Sequence, residues 1–255
     1  MNDNIATSKS YFETLMRAAN GVVASAVDQV ATELLNAYFA DRAIYVLGNG
    51  GSAATASHFA CDLSKGVTNR LPDGVRRMRA VALTDNAALM TAWANDTKYE
   101  NIFAEQLKTF VRAGDIVIAI SASGKSANVL NGLQAARSAG ATTVGLSGFD
   151  GGHMLCLCDH CVVVPSNNVE VIEDIHLAIC HSLATVARAA LQQASSDGLA
   201  SPWLSGALRS PGAYCAIDRP RASGARSSLR SVNSLLPVVS AGKSLVSGQE
   251  HPDAD

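Results

Sequence analysis

The chain has 255 residues, 48% of them hydrophobic, and a formal net charge of -2. That suits one medium-sized domain with a substantial core, and the near-neutral balance gives no reason to expect nucleic acid or an anionic membrane as partner. No apolar run approaches the roughly 20 residues of a membrane span, and the opening MNDNIATSKS lacks the basic and apolar regions of a signal peptide, so a cytoplasmic protein is expected.

In chain order, Ser8 to Asn20 predicts a first helix, with Tyr11, Phe12, Leu15 and Met16 on one side. A second runs from Val23 to Phe39, where Val27, Val30, Leu34 and Tyr38 recur at helical spacing. The pattern then becomes β-α. Ile44-Tyr45-Val46-Leu47 has the continuous apolar character of a buried parallel strand. It turns through Gly48-Asn49-Gly50-Gly51-Ser52 into a helix over Ala53–Leu63. Strand Ala80–Thr84 follows, then helices around 87–94 and 99–111. Strand Asp115–Ile120 ends in Ser121-Ala122-Ser123-Gly124-Lys125-Ser126. Helix Ala127–Ser138, strands Thr142–Leu146 and Cys161–Val164, and a long helix over about 169–192 complete the series. Alternating strands and helices imply an α/β fold, a parallel sheet covered on both faces with ligand loops at the strands' carboxyl ends. Residues 1–194 are expected to form this domain. Residues 195–255, rich in Pro, Ser and Gly, are expected to be a disordered tail.

Two strand-to-helix loops carry small residues and hydroxyls, Gly48–Ser52 and Ser121–Ser126. Each offers free backbone N–H groups at a helix start, which suits an anion. Neither GxxxxGK[ST] nor GxGxxG is present, so a phosphorylated small molecule fits better than a nucleotide. His58 and Asp62 stand one helical turn apart on the helix after the first loop and could share a metal. The six cysteines are expected to be free thiols. Among them, the tract His153-x-x-Cys156-x-Cys158-x-His160-Cys161 is too cramped for an expected zinc site, and redox chemistry at Cys158/Cys161 is expected even less.

The segments GNGGSAATASHFACDL, ALTDNAALMTAWANDTKYENIF, ISASGKSANVL, GLSGFDGG and VPSNNVEVIEDIHLAICH together resemble the sugar isomerase (SIS) domain family, in its phosphoheptose isomerase branch. The resemblance runs from about residue 10 to 190. It implies a three-layer αβα sandwich with a five-stranded parallel sheet, preceded by two N-terminal helices. It also implies homotetramers with active sites at subunit interfaces, and aldose–ketose isomerisation of sedoheptulose 7-phosphate for heptose and surface-polysaccharide synthesis. The family's substrate contacts fall on Asn49, Gly50, Gly51, Ser52, Thr84, Asp85, Ser121, Ala122, Ser123 and Ser126, with Asp62 and Glu173 beside them. Its zinc positions fall on His58, Asp62, Glu173 and His181, and its acid/base pair on Asp62 and His181.

This chain departs from the family in having Asp62 where glutamate is usual and Glu173 where glutamine is usual. Ala122 and Lys125 stand where the serine loop often carries Thr and Asn. Glu173 and His181 lie eight residues apart, a rise of about 12 Å along one helix. Ligands about 2 Å from one ion cannot be that far apart. Either the helix breaks between them or one ligand comes from another chain. A zinc-bound Asp62 would be a weaker base, which leaves its part as base or ligand open. His176, on an otherwise apolar helix face, is expected to be a buried structural histidine. The competing expectation is a non-catalytic sugar-phosphate-binding or replication-initiator-associating regulator, although such a protein has no need of the acidic and histidine positions.

Overall fold

The computed structural model describes residues 5–69, 71 and 75–196. Two helices, α1 (Ser8–Asn20) and α2 (Ala24–Phe39), precede strand β1 (Ala43–Gly48). Helix α3 (Gly51–Cys61) passes directly into a π-helical turn, Asp62–Gly66. Then come β2 (Arg79–Ala82), α4 (Ala87–Asp96), a 3-10 turn (Tyr99–Asn101) and α5 (Ile102–Phe110). The series closes with β3 (Ile116–Ser121), α6 (Ala127–Ser138), β4 (Thr142–Ser147), α7 (Met154–Leu157), β5 (His160–Val163) and α8 (Val169–Ser196).

The sheet order is β2-β1-β3-β4-β5 with every pairing parallel. Strand residues alternate between two cores, as the two-residue period of a strand dictates. Ile44, Val46, Ile116, Ile118, Val144 and Leu146 face α1, α2, α3 and α8. Tyr45, Leu47, Val117 and Ala119 face α5, α6 and α7. Helices therefore cover both faces, and the expected αβα sandwich with two leading helices is what forms. Successive strands run β1 to β2 in one direction and β1 to β3 in the other. The reversal between β1 and β3 leaves a crevice at their carboxyl ends, where open α/β sheets bind ligands.

Several boundaries differ from expectation for identifiable reasons. The second strand ends at Ala82 rather than Thr84, although Leu83 N–H still donates to Val46 O at 2.8 Å. Thr84 thereby lies beyond the strand. The helix after the glycine loop starts at Gly51, because Ala53 and Ala54 N–H reach Gly50 O at 3.0 and 3.2 Å. It changes register at Asp62, whose carbonyl accepts from Val67 N–H at 2.9 Å, five residues on. Such π turns are frequent at functional positions. Ser195 and Ser196 belong to α8, and the remainder of the expected tail lies outside the described residues. No helix among the described residues is long and apolar enough to cross a membrane.

Candidate functional site

The two loops named by the sequence meet at the β1/β3 reversal. There a cleft of about 310 Å³ is lined by Asn49, Ser52, Ser121, Ala122, Ser123 and Ser126, with Ile120, Phe149, Val169 and Glu173 closing it. Gly50 adopts φ +55°, a left-handed conformation that glycine takes without strain. Gly51 is glycine for a different reason. A side-chain carbon there would lie 2.5 Å from the Glu173 carboxylate. That carboxylate thus rests on the first turn of α3, where free N–H groups and the helix dipole favour negative charge.

In the second loop the Ser121 and Ser126 hydroxyls stand 3.3 Å apart, and Lys125 N–H donates to Ser123 Oγ at 3.2 Å. Ser126 is the N-cap of α6 but its hydroxyl bonds to Ser121 and not to the helix, so the first-turn N–H groups of α6 take no side-chain cap beside the cleft that Ser126 lines. Outside the cleft, Lys125 Nζ lies 3.4 Å from Asp150. The Gly152 N–H first, and Lys125 second, hold the Asp150 carboxyl below its ordinary value.

Sequence reasoning missed the residue that fixes Asn49. Asn128 is buried in the first turn of α6 and exchanges two amide hydrogen bonds with Asn49, each 2.8 Å. Its carbonyl also accepts from Val129 N–H at 2.9 Å, and Tyr99 OH donates to Asn49 Oδ1 at 3.1 Å. Its one sequence signal is an amide two residues past the serine loop, which is too common to single out. Asn128→Ala strips a buried partner from Asn49 and is expected to cost about 1–3 kcal/mol, read from denaturant unfolding at constant m-value. Ser57 was missed in the same way. Its hydroxyl reaches Thr84 Oγ1 at 3.1 Å and also the Asp85 carboxylate, gathering Thr84 and Asp85 at the end of β2.

The expected metal positions divide. Among the described residues, His58, Asp62 and His181 bring ligand atoms within 4.8 Å of one another. His58 Nε2 and His181 Nε2 are 3.4 Å apart, and Asp62 Oδ2 is 3.7 and 3.6 Å from them. Donors about 2.0–2.2 Å from a tetrahedral ion stand about 3.3–3.6 Å from one another, so the trio fits a divalent cation with an open position. Glu173 does not join it within this chain. Helix α8 is unbroken from Val169 to Ser196, which carries Glu173 about 12 Å away along the axis, into the cleft. Helices α3 and α8 run side by side in the same direction, with Glu173 against Gly51, His181 against His58, and Arg188 Nε donating to Gly66 O at 2.9 Å.

Two further groups on α8 are structural. Burial, then the Asp62 charge, push the Cys180 thiol well up from its ordinary value, which keeps it inert. His176 is fully buried, with Nε2–H donated to Ser147 O at 3.1 Å and Nδ1 without a partner. Burial lowers its pKa from 6.5 to about 4, outweighing the Ser147 hydrogen bond, because a charged ring would carry a buried Nδ1–H with no acceptor. The unfolded chain therefore binds the proton first as pH falls. Stability is full above about 6.5 and is lost towards pH 4. Between pH 7 and pH 5 the loss is about 2 kcal/mol, and His176→Gln should remove this pH dependence in urea titrations.

Known proteins resemble this chain in sequence and in fold. The SIS domain model matches residues 9–148. A phosphoheptose isomerase of Bradyrhizobium sp. (strain ORS 278) is 34% identical over 193 residues, covering 76% of this chain and 94% of that protein. Among solved structures, phosphoheptose isomerase GmhA from Neisseria gonorrhoeae superposes with a TM-score of 0.65 at 31% identity, over 70% of this chain and 95% of that one. A phosphoheptose isomerase from Francisella tularensis gives 0.66 at 28% identity, over 71% and 95%. The chain belongs to the SIS domain family, in its phosphoheptose isomerase branch.

Proposed function

We propose that this aldose–ketose isomerase converts sedoheptulose 7-phosphate to D-glycero-D-manno-heptose 7-phosphate in the cytoplasm, supplying heptose for surface polysaccharide. The observation that carries the reading is one chain holding both halves of the required chemistry. A hydroxyl-lined anion cleft sits at the start of α3 and α6, and a carboxylate–imidazole group sits further along α3 and α8.

Ser121, Ser123 and Ser126 with the α6 N-terminus hold the phosphate. Asn49, fixed by Asn128, and Thr84 with Asp85 bind sugar hydroxyls, while the Gly50–Gly51 backbone leaves room for the chain. The open-chain ketose loses a proton from C1 to Asp62 and regains it at C2, and His181 moves the hydroxyl proton between O2 and O1. A zinc ion held by His58, Asp62 and His181 would supply Lewis-acid polarisation of the carbonyl.

Glu173 cannot reach that ion within one chain, so its family role as a ligand is met by another subunit's copy at an interface site. Unpartnered apolar surface supports a homotetramer of this kind. Helix α4, AALMTAWAND, fully buries none of its residues, and Phe12, Met16 and Val23 are strongly exposed on and just after α1.

The test is a coupled assay over C5 to C8 ketose phosphates with metal analysis. Turnover greatest with the seven-carbon substrate, and one divalent ion per chain that disappears in His58→Ala, are expected. Turnover confined to five- or six-carbon sugars would overturn the substrate assignment, and a metal-free active protein would overturn the zinc site.

A further inference from the structure

The pair Cys158 and Cys161 takes no part in the site above, and its spacing alone gave little reason to expect redox chemistry. The structure changes that. Asp159, between them, is clamped to Thr143 of β4 by four hydrogen bonds. Its N–H reaches Thr143 O and Oγ1 at 2.9 and 3.1 Å, and its carboxylate accepts from Thr143 N–H and Oγ1–H at 2.8 Å each. The clamp bends the chain at the end of α7 and lays both sulfurs against Gly145. A side-chain carbon on Gly145 would lie 2.8 Å from Cys158 Sγ and 3.1 Å from Cys161 Sγ, so both sulfurs crowd the one space that glycine leaves. Both cysteines are partly exposed, which lets a small oxidant reach them.

The same segment is attached to the serine loop. Met154, at the start of α7, donates its N–H to Gly124 O at 3.3 Å, and Cys158 N–H donates to Met154 O at 2.9 Å. Gly152 lies flat on the loop, since a side-chain carbon there would be 2.5 Å from Ser123 O. At the other end of α7, Arg137 Nη1 holds the carbonyls of Cys156 and Leu157 at 3.2 and 3.0 Å.

We propose that Cys158 and Cys161 form a reversible dithiol–disulfide pair responsive to hydroperoxides, whose state reaches the Ser121–Ser126 loop through α7. Accepting the Cys158 S–H holds the Cys161 thiol below its ordinary value, which makes Cys161 the nucleophile. Its thiolate attacks a peroxide oxygen, so an S–O bond forms, the O–O bond breaks and hydroxide leaves as water with a proton. The Cys158 sulfur then attacks the sulfenic acid, forming S–S and breaking S–O, and its own proton leaves in a second water. Two thiols are oxidised and one hydroperoxide is reduced. Closing the disulfide draws Cys158 and Cys161 together and pulls α7, with Gly124, out of its present position.

The experiment treats full-length protein and Cys156→Ser with hydrogen peroxide, alkylates the remaining thiols, and cleaves before Asp159, which separates the two cysteines. The expected result is a Cys158–Cys161 linked peptide pair, loss of two of the six thiols, and recovery of both by dithiothreitol. Cys158→Ser should accumulate a dimedone-reactive sulfenic acid at Cys161, and Cys161→Ser should leave Cys158 unreacted. Stabilisation by inorganic phosphate in a thermal melt should fall severalfold in the oxidised form, with a matching rise in KM. Separate sulfinic acids with no linked pair overturn the disulfide. A linked pair with unchanged phosphate stabilisation overturns the connection to the loop. The KM measurement rests on the isomerase reading, and absence of turnover in the reduced protein would count against that reading alone, because the peptide pair and the phosphate melt do not depend on it.

Discussion

His181→Ala is expected to lower kcat/KM for the heptose phosphate by about 10³-fold, a loss in the range that one positioned acid/base group supplies. Two effects converge on this residue. Its ring stands against His58 and Asp62, so truncation removes a ligand atom from the only three-donor group among the described residues. It also removes the imidazole proposed to carry the hydroxyl proton. Asp62 separates the two effects. In Asp62→Asn an oxygen remains to face the two imidazoles, but the side chain no longer accepts a proton at neutral pH. If Asp62 is the base, this variant keeps its metal and loses about 10²–10⁴ in kcat with little change in KM. If Asp62 serves only as a ligand, activity falls in step with metal content and returns when excess zinc is added. Wild-type turnover in both Asp62→Asn and His181→Ala would remove these residues from the reaction. Each variant is read by steady-state kinetics alongside metal stoichiometry on the same sample, which distinguishes a lost proton carrier from a lost ion.

Much of this site was legible because its signals are local. A short apolar strand followed by small residues, twice in one chain, announces the Gly48–Ser52 and Ser121–Ser126 loops without tertiary information. The pairing of His58 with Asp62 follows from helical spacing alone. Helical rise also sufficed to show that Glu173 and His181 cannot share an ion within one unbroken α8. What stayed hidden depends on packing. That His181 meets His58, and Glu173 meets Gly51, follows from α3 and α8 running side by side, and residue spacing within either helix carries no record of that. The π turn at Asp62 is hidden for the same reason, as is the closure of the Asn49–Asn128 pair across 79 residues. The Cys158/Cys161 tract looked cramped for zinc when read as a sequence. Its geometry becomes informative only with Thr143 and Gly145 of the neighbouring strand in place.

Gly124→Ala is expected to have the largest effect of any single-methyl change in the serine loop. Gly124 sits at φ +61°, where an L-residue is strained by about 1–2 kcal/mol. The added carbon would also lie 2.2 Å from Gly151 O and 2.8 Å from Ser147 Oγ. The first of these atoms is backbone, so no rotamer change relieves the contact, and overpacking of this kind costs about 1–3 kcal/mol more. The loop must move, and with it Ser123 and Ser126. A Tm lower by about 5–15 °C is expected together with a rise in KM of about tenfold or more. Gly140→Ala is the matched control. It has φ +77° and a contact of only 3.3 Å, to the Ala113 side chain, at the opposite end of the sheet. It should bear the conformational cost, about 1–2 kcal/mol, and leave KM unchanged. If Gly124→Ala and Gly140→Ala lower Tm equally and neither alters KM, the Ser121–Ser126 loop does not hold the phosphate, because its backbone could not then shift without consequence for binding.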